Sequence, residues 1–277
     1  MKKLIFTFSL FFLLINGFSQ GLNMSYPVKN LEQVELIATY NLTFQQDSLN
    51  PYHLLEEEML LFLGKTQSIF LSKNNYLSTD LFKNLKTEAD LQAVLLTPDL
   101  QPPLSRFRYQ IFKNYPRGNI SVIDYVLPDF FKYQERLPLL KWTISGETST
   151  IKGYQIQKAT TSFGGRNWIA WFAPEIPYSD GPYKFSGLPG LILKLHDTRN
   201  HYLFELVSIE EPEEIQAIEF PDRRYVETTK KDFFRAREAF RHDIISRAAE
   251  AGLDNHTQQV AAENMRRRNN PIELTAD

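Results

Sequence analysis

The chain contains no cysteine among its 277 residues. That excludes disulfide staples, thiolate nucleophiles, cysteine-based metal sites and a lipid-modified N-terminal cysteine. It also lacks an excess of either charge, with 31 Lys and Arg against 33 Asp and Glu. A balance of this kind carries no electrostatic footprint of a nucleic-acid binder. Beyond the first twenty residues no apolar run reaches the length of about 20 residues that a membrane-spanning helix needs. There is no Gly-x-Ser-x-Gly elbow for a serine nucleophile. No internal repeat, low-complexity tract or domain linker divides the remainder, so residues 20–277 read as one domain.

What is present begins with an export signal over residues 1–19. Lys2 and Lys3 form a cationic start, residues 4–15 are almost unbroken apolar, and Gly17 and Ser19 supply a small-x-small cleavage site. Cleavage leaves 29 cationic against 33 acidic residues. The expected location is the periplasm or the outside of the cell, with no membrane span once the signal is gone. The 21 Phe and 13 Tyr supply enough apolar surface for one well-filled core.

Strand patterns dominate. Leu36, Ala38, Tyr40, Leu42 and Phe44 alternate along residues 34–46, and residues 54–63 and 67–71 continue as a meander. Ser78 or Thr79 can cap a helix running to about Leu95. Strands resume from Phe107. Residues 152–162 and 167–173 flank Gly164-Gly165, a hairpin signal with a primed turn. Leu191, Leu193 and Leu195 face Tyr202, Phe204 and Leu206 across another turn. After Pro212 the pattern becomes helical, over residues 228–251 and 257–268. The expected fold is α+β: a mostly antiparallel sheet with C-terminal helices packed against it. That the sheet is curved and half-barrel-like is implied by a resemblance of the Gly153-Tyr154 strand, its turn and the Trp-containing strand to lipoprotein-carrier-like half-barrels.

The run Gly187-Leu188-Pro189-Gly190-Leu191-Ile192 spells a turn feeding a core strand. Pro189 fixes φ and Gly190 tolerates positive φ, the pairing of a type II turn. No helix N-terminus follows these glycines, so they are not a phosphate loop.

Titratable candidates are few. His196, Asp197 and His201 could hold a metal across a hairpin, but they read more simply as polar turn residues, so neither metal nor cofactor is expected. Arg166, Glu175, Lys184 and Asp197 are charges set in an apolar, turn-rich region. Burying them is costly unless they pair, so they either fix the hairpins or line a binding surface with Trp171. Trp168 and Trp171 point to opposite faces of a regular strand.

The segment 142–205 closely resembles the GLPGLI family of exported proteins from Bacteroidetes-type bacteria. The naming hexapeptide stands intact at residues 187–192. Around it are Trp142, Glu147-Thr148, Gly153-Tyr154, Lys158-Ala159, Trp171-Phe172, Gly181-Pro182, Lys184-Phe185 and Asp197, with Asn269-Asn270-Pro271-Ile272-Glu273 near the end. Relatives often carry Cys where this chain has Ile156, so no thiol role operates here. The resemblance implies export without an established activity, and an association with outer-membrane transport proteins. Asp47-Ser48-Leu49 matches a short pattern O-glycosylated in exported proteins of that phylum, which marks Ser48.

The expected function is therefore non-catalytic binding of an apolar ligand, peptide or partner protein. One alternative is a secreted hydrolase using acidic residues near His196 and His201. Another is a scaffold component of an envelope transport complex.

Overall fold

Alternation of apolar and polar side chains builds a sheet, and here it builds one long sheet closed at neither end. The computed structural model describes residues 26–101 and 104–276; the expected export signal of residues 1–19 lies outside them. Among the described residues are fourteen strands and five α-helices. The strands are β1 (Val28–Gln33), β2 (Leu36–Gln45), β3 (Leu54–Leu63), β4 (Ser68–Ser72), β5 (Gln110–Lys113), β6 (Asn119–Val126) and β7 (Asp129–Arg136). They continue with β8 (Thr143–Ile151), β9 (Tyr154–Phe163), β10 (Arg166–Ala173), β11 (Leu191–Asp197), β12 (Tyr202–Glu210), β13 (Ala217–Pro221) and β14 (Val226–Glu227). The helices are α1 (Lys73–Asn84), α2 (Glu88–Leu96), α3 (Lys230–His242), α4 (Ile244–Glu250) and α5 (Asn255–Arg266).

Twelve strands form a curved open sheet in the order β14-β7-β6-β5-β4-β3-β2-β12-β11-β10-β9-β8. All neighbours are antiparallel except the two-residue β14, which lies parallel to β7. β1 and β13 pair separately and cover the sheet's outer face, where Ile218 and Phe220 pack with Leu60, Phe62, Ile69 and Phe112. Residues 22–30 read from sequence as a polar lead-in, and β1 begins within them. Its residues pair with a strand almost two hundred positions away, which local pattern does not reveal.

The inner face is filled by the chain itself. Residues 174–190, which join β10 to β11, lay Ile176, Tyr183, Phe185 and Leu188 onto it. Phe185 meets Trp168 at 4.7 Å, and Tyr183 meets Tyr109 at 5.3 Å. Phe233 of α3 packs against Tyr133, and Ile272 of the C-terminal segment joins the same core. Ile156 is 2% exposed, as a strand-interior role requires.

Two helical expectations change. The helix after β4 begins at Ser72, whose hydroxyl accepts from the Asn75 N–H, and not at Ser78 or Thr79. It ends at Leu85, and Thr87 starts a second helix through a capping box with Asp90. The expected helix over residues 228–251 likewise splits at Asp243.

The hexapeptide turn also differs from its expected type. A type II turn would bond Leu191 N–H to Leu188 O. Instead Gly190 N–H donates to Leu188 O at 2.8 Å, closing a three-residue turn across Pro189. Leu191 N–H is free to donate to Ile176 O at 3.1 Å, tying the first residue of β11 back to the connection. Gly164 and Gly165 both take positive φ, as the primed hairpin turn requires.

Candidate functional site

The buried charges collect where the β9–β10 turn, the 174–190 connection and the C-terminal segment meet. Two clusters form there. In the first, Arg166 begins β10 and Asp197 ends β11, with Arg166 Nη1 donating to Asp197 Oδ2 at 3.0 Å. The guanidinium also donates to Asn270 Oδ1 at 2.6 Å and to the carbonyls of Pro271 and Ile272. Asp197 Oδ1 accepts the Tyr202 N–H at 3.0 Å, which closes the β11–β12 turn. Arg166 therefore clamps the C-terminal segment onto the sheet.

In the second cluster Lys184, fully buried, donates to Glu273 at 2.6 Å, to Tyr133 at 3.1 Å and to Glu135. Lys230, at the start of α3, pairs with Glu273 at 2.6 Å and with Glu135 at 3.1 Å. Tyr183 donates to Glu273 at 2.6 Å. Two cations and two carboxylates thus neutralise each other. Burial alone would lower the Lys184 pKa, but Tyr133, Glu273 and Glu135 beside it raise it overall. Burial would raise Glu273, yet Lys184 and Lys230 hold it below its ordinary value. A Cβ on Gly164 would stand 2.8 Å from Glu273 Cγ, so the hairpin turn is glycine also to let this carboxylate in.

Of the four charges singled out from sequence, Arg166 and Asp197 pair with each other, and Lys184 pairs elsewhere. Glu175 is exposed and only accepts the Gln155 N–H at 2.8 Å. Trp171 is half-buried on the face opposite the buried Trp168, with Lys158 over its ring at 6.0 Å. His201 Nδ1 lies 3.1 Å from Arg166 Nη1, and its pKa is lowered, chiefly by burial. His196 has its ring beside the Asp197 carbonyl. Among the described residues no group of His, Cys, Asp and Glu could hold a metal. Gly187 and Pro189 are exposed and Gly190 is buried. Ser48 is exposed and donates to Asn269 Oδ1 at 2.7 Å. Glu135, Lys230, Asn270 and Glu273 were missed from sequence. The Asn269–Glu273 stretch carried the one signal that pointed to them.

Above these clusters lie two adjoining hollows of about 670 and 480 Å³. They share Leu139, Ser162 and Asn167, and so make one groove. One end is walled by Lys141, Thr143 and Thr160 beside the edge strand β8; the other reaches Arg166, Glu135 and Lys230. β8 is exposed along most of its length on both faces, and among the described residues its outer edge has no partner strand.

Under α3 a lone carboxylate behaves differently. Burial pushes Asp124 up to about 6, against the pull of the Tyr125 N–H, Arg237, Arg108 and Lys184. The folded carboxyl then holds its proton to higher pH than the unfolded one. Its cost is absent below the ordinary value of 3.8, grows towards 6 and is complete above it. Asp124→Asn is expected to stabilise the protein at pH 7 by about 1–3 kcal/mol and to change little at pH 3.5, by urea denaturation at both values.

A family model described as "Protein of unknown function (Porph_ging)" matches residues 164–194. That stretch runs from the hairpin turn through Arg166 and Lys184 to the start of β11. No curated protein matches the chain. Two solved structures of PNGF-II, in space groups P21 and C2, are similar at 14% identity, with TM-scores of 0.52 and 0.53. The match covers 75% and 76% of this chain but only 34% and 33% of theirs, so this chain spans about a third of PNGF-II. At that identity the likeness is one of fold.

Proposed function

We propose that the chain is an exported, non-catalytic envelope protein of the GLPGLI type that binds an extended peptide segment of a partner protein. The peptide lies in the groove over β9 and β10, beside the open strand β8. The observation that carries this function is the juxtaposition of groove and edge. An extended chain can bond its backbone to a free strand edge while its side chains enter adjoining hollows. The lining suits backbone and polar contacts, with Thr143, Thr160, Ser162 and Asn167 offering hydroxyls and an amide. An apolar ligand is favoured less, because the inner face is occupied by Tyr183, Phe185, Leu188 and Phe233. The non-catalytic assignment is supported by the pairing of Arg166, Asp197, Lys184, Glu135, Glu273 and Lys230 among themselves.

The test is a random peptide display library panned on residues 20–277. Selected peptides should bind the parent, lose at least about tenfold in affinity to Thr160→Arg and Ser162→Arg, and tolerate Val207→Arg on the distant β12. Equal binding by the groove variants would sink the assignment of the site. Cleavage of bound peptides, read by mass spectrometry, would sink its non-catalytic character.

A further inference from the structure

A second charged region stands apart from the groove, where the C-terminal helices meet the sheet's rim. Arg106 and Arg108 flank Phe107, whose ring packs edge-on against Phe44 at 4.9 Å and beside Tyr109 at 5.6 Å. Alternate residues of an extended segment face the same way. With Phe107 turned inward, both arginines project outward, and both are exposed.

Arg237 and Arg241 lie one turn apart on α3, on one face of the helix. Arg237 covers the Phe234 ring at 4.4 Å. Arg241 donates to Met265 O at 3.3 Å, and the backbone N–H of Arg268 donates to the same carbonyl at 3.1 Å. Two residues on, Asn270 N–H donates to Gln46 O at 3.2 Å, which fixes Arg268 near the end of β2. Phe44 belongs to the same strand end, so the Arg106–Arg108 segment and Arg268 share one neighbourhood.

These cations are poorly compensated. Arg241 pairs with Glu238 at 3.2 Å. Glu57 accepts the backbone N–H of Arg106 at 3.0 Å, but among the described residues no carboxylate forms an ion pair with the side chain of Arg106, Arg108, Arg237 or Arg268, and the buried Arg237 Nε has no hydrogen-bond partner. Asp124 lies near Arg108 and Arg237 without pairing with either. The adjoining Arg266 and Arg267 are different, since Glu263 pairs with both. Desolvation, together with Arg106, Arg108 and Arg241, lowers the pKa of Arg268, which agrees with the crowding. Like charges held together on a surface destabilise it unless a counter-charge arrives.

We propose that Arg106, Arg108, Arg241 and Arg268 form a binding site for a phosphate group bearing two or more negative charges. Guanidinium forks match the oxygens of a phosphate bidentately. Several forks in one neighbourhood exceed what a single carboxylate can satisfy. A soluble molecule and a lipid headgroup present the same phosphate chemistry to these guanidinium groups.

The probes are sodium pyrophosphate, followed by calorimetry, and vesicles of phosphatidylcholine with and without phosphatidic acid, followed by flotation. Ionic strength is held constant with sodium chloride, so that screening does not mimic binding. Saturable pyrophosphate binding is expected. Arg108→Ala and Arg268→Ala, both at exposed positions, should each weaken it about tenfold, and Arg266→Ala should leave it unchanged. Flotation that depends on phosphatidic acid and on the same two arginines would assign the phosphate to lipid. Pyrophosphate binding without flotation would assign it to a soluble compound. The site is overturned if neither probe binds, or if both variants bind as the parent does. Neither result bears on the peptide groove, which uses none of these residues.

Discussion

Gly190→Ala is expected to cost at least about 4 kcal/mol, enough to leave many domains unfolded. A Cβ at this position would stand 2.1 Å from the Ala173 carbonyl oxygen and 2.6 Å from its carbon. Both are backbone atoms of the strand end beside it, so no side chain can swing away. The positive φ of 147° adds strain for any L-residue. The rest of the hexapeptide ranks well below it. Gly187 also has positive φ, at 96°, but its nearest neighbour would be the Trp142 ring at 3.9 Å. Gly187→Ala should therefore cost about 1–2 kcal/mol, from conformation alone. Pro189 is exposed, and Pro189→Ala should cost less than about 1 kcal/mol, through greater freedom of the unfolded chain. Urea denaturation of the three variants gives the order directly. A Gly190→Ala protein within 1 kcal/mol of the parent would remove the hexapeptide's structural explanation.

The same hexapeptide marks what a sequence does and does not disclose. Its glycines and proline announce a turn, because φ preferences are local. Its turn type is not local: Leu191 N–H is claimed by Ile176 O, so the three-residue turn prevails over the type II form. The alternation along residues 34–46 discloses β2, since one face of that strand is buried. β1 has no such pattern, β13 shows it only from Ile218 to Phe220, and the two pair with each other across the outer face. The charges behave likewise. Arg166 and Asp197 are legible as costly to bury, and their mutual pairing follows from the β10–β11 register. Lys184 finds its partners on β7 and beyond the last helix, at separations of 49 and 89 residues, where no spacing rule reaches. Glu175 looked equivalent in the sequence and lies exposed, because the chain turns outward at Pro174 before Ile176 returns to the core.

Removing Lys184 should be the second large effect. Lys184→Met leaves Glu273 and Glu135 to share Lys230, with Glu273 1% exposed. An uncompensated buried carboxylate costs about 3–5 kcal/mol. Lys184 keeps its proton to higher pH than an unfolded lysine, so its own contribution is complete below 10.5 and fades only above that value. Glu273 supplies the accessible limb. Its folded pKa is depressed, so its stabilisation is present above the ordinary 4.5 and is lost as pH falls through the folded value. Glu273→Gln should flatten the loss of stability below pH 4.5, whereas Lys184→Met lowers stability across the neutral range. The double variant Lys184→Met, Glu273→Leu separates charge balance from packing. It deletes one cation and one anion and leaves Lys230 paired with Glu135 at 3.1 Å. It should recover about 2 kcal/mol of what the single substitution loses, but not all of it. Tyr183 would lose the carboxylate it donates to, and Tyr133 the ammonium it accepts from. A double variant no more stable than Lys184→Met would mean that the four charges act by fixing the C-terminal segment in place and not by balancing one another.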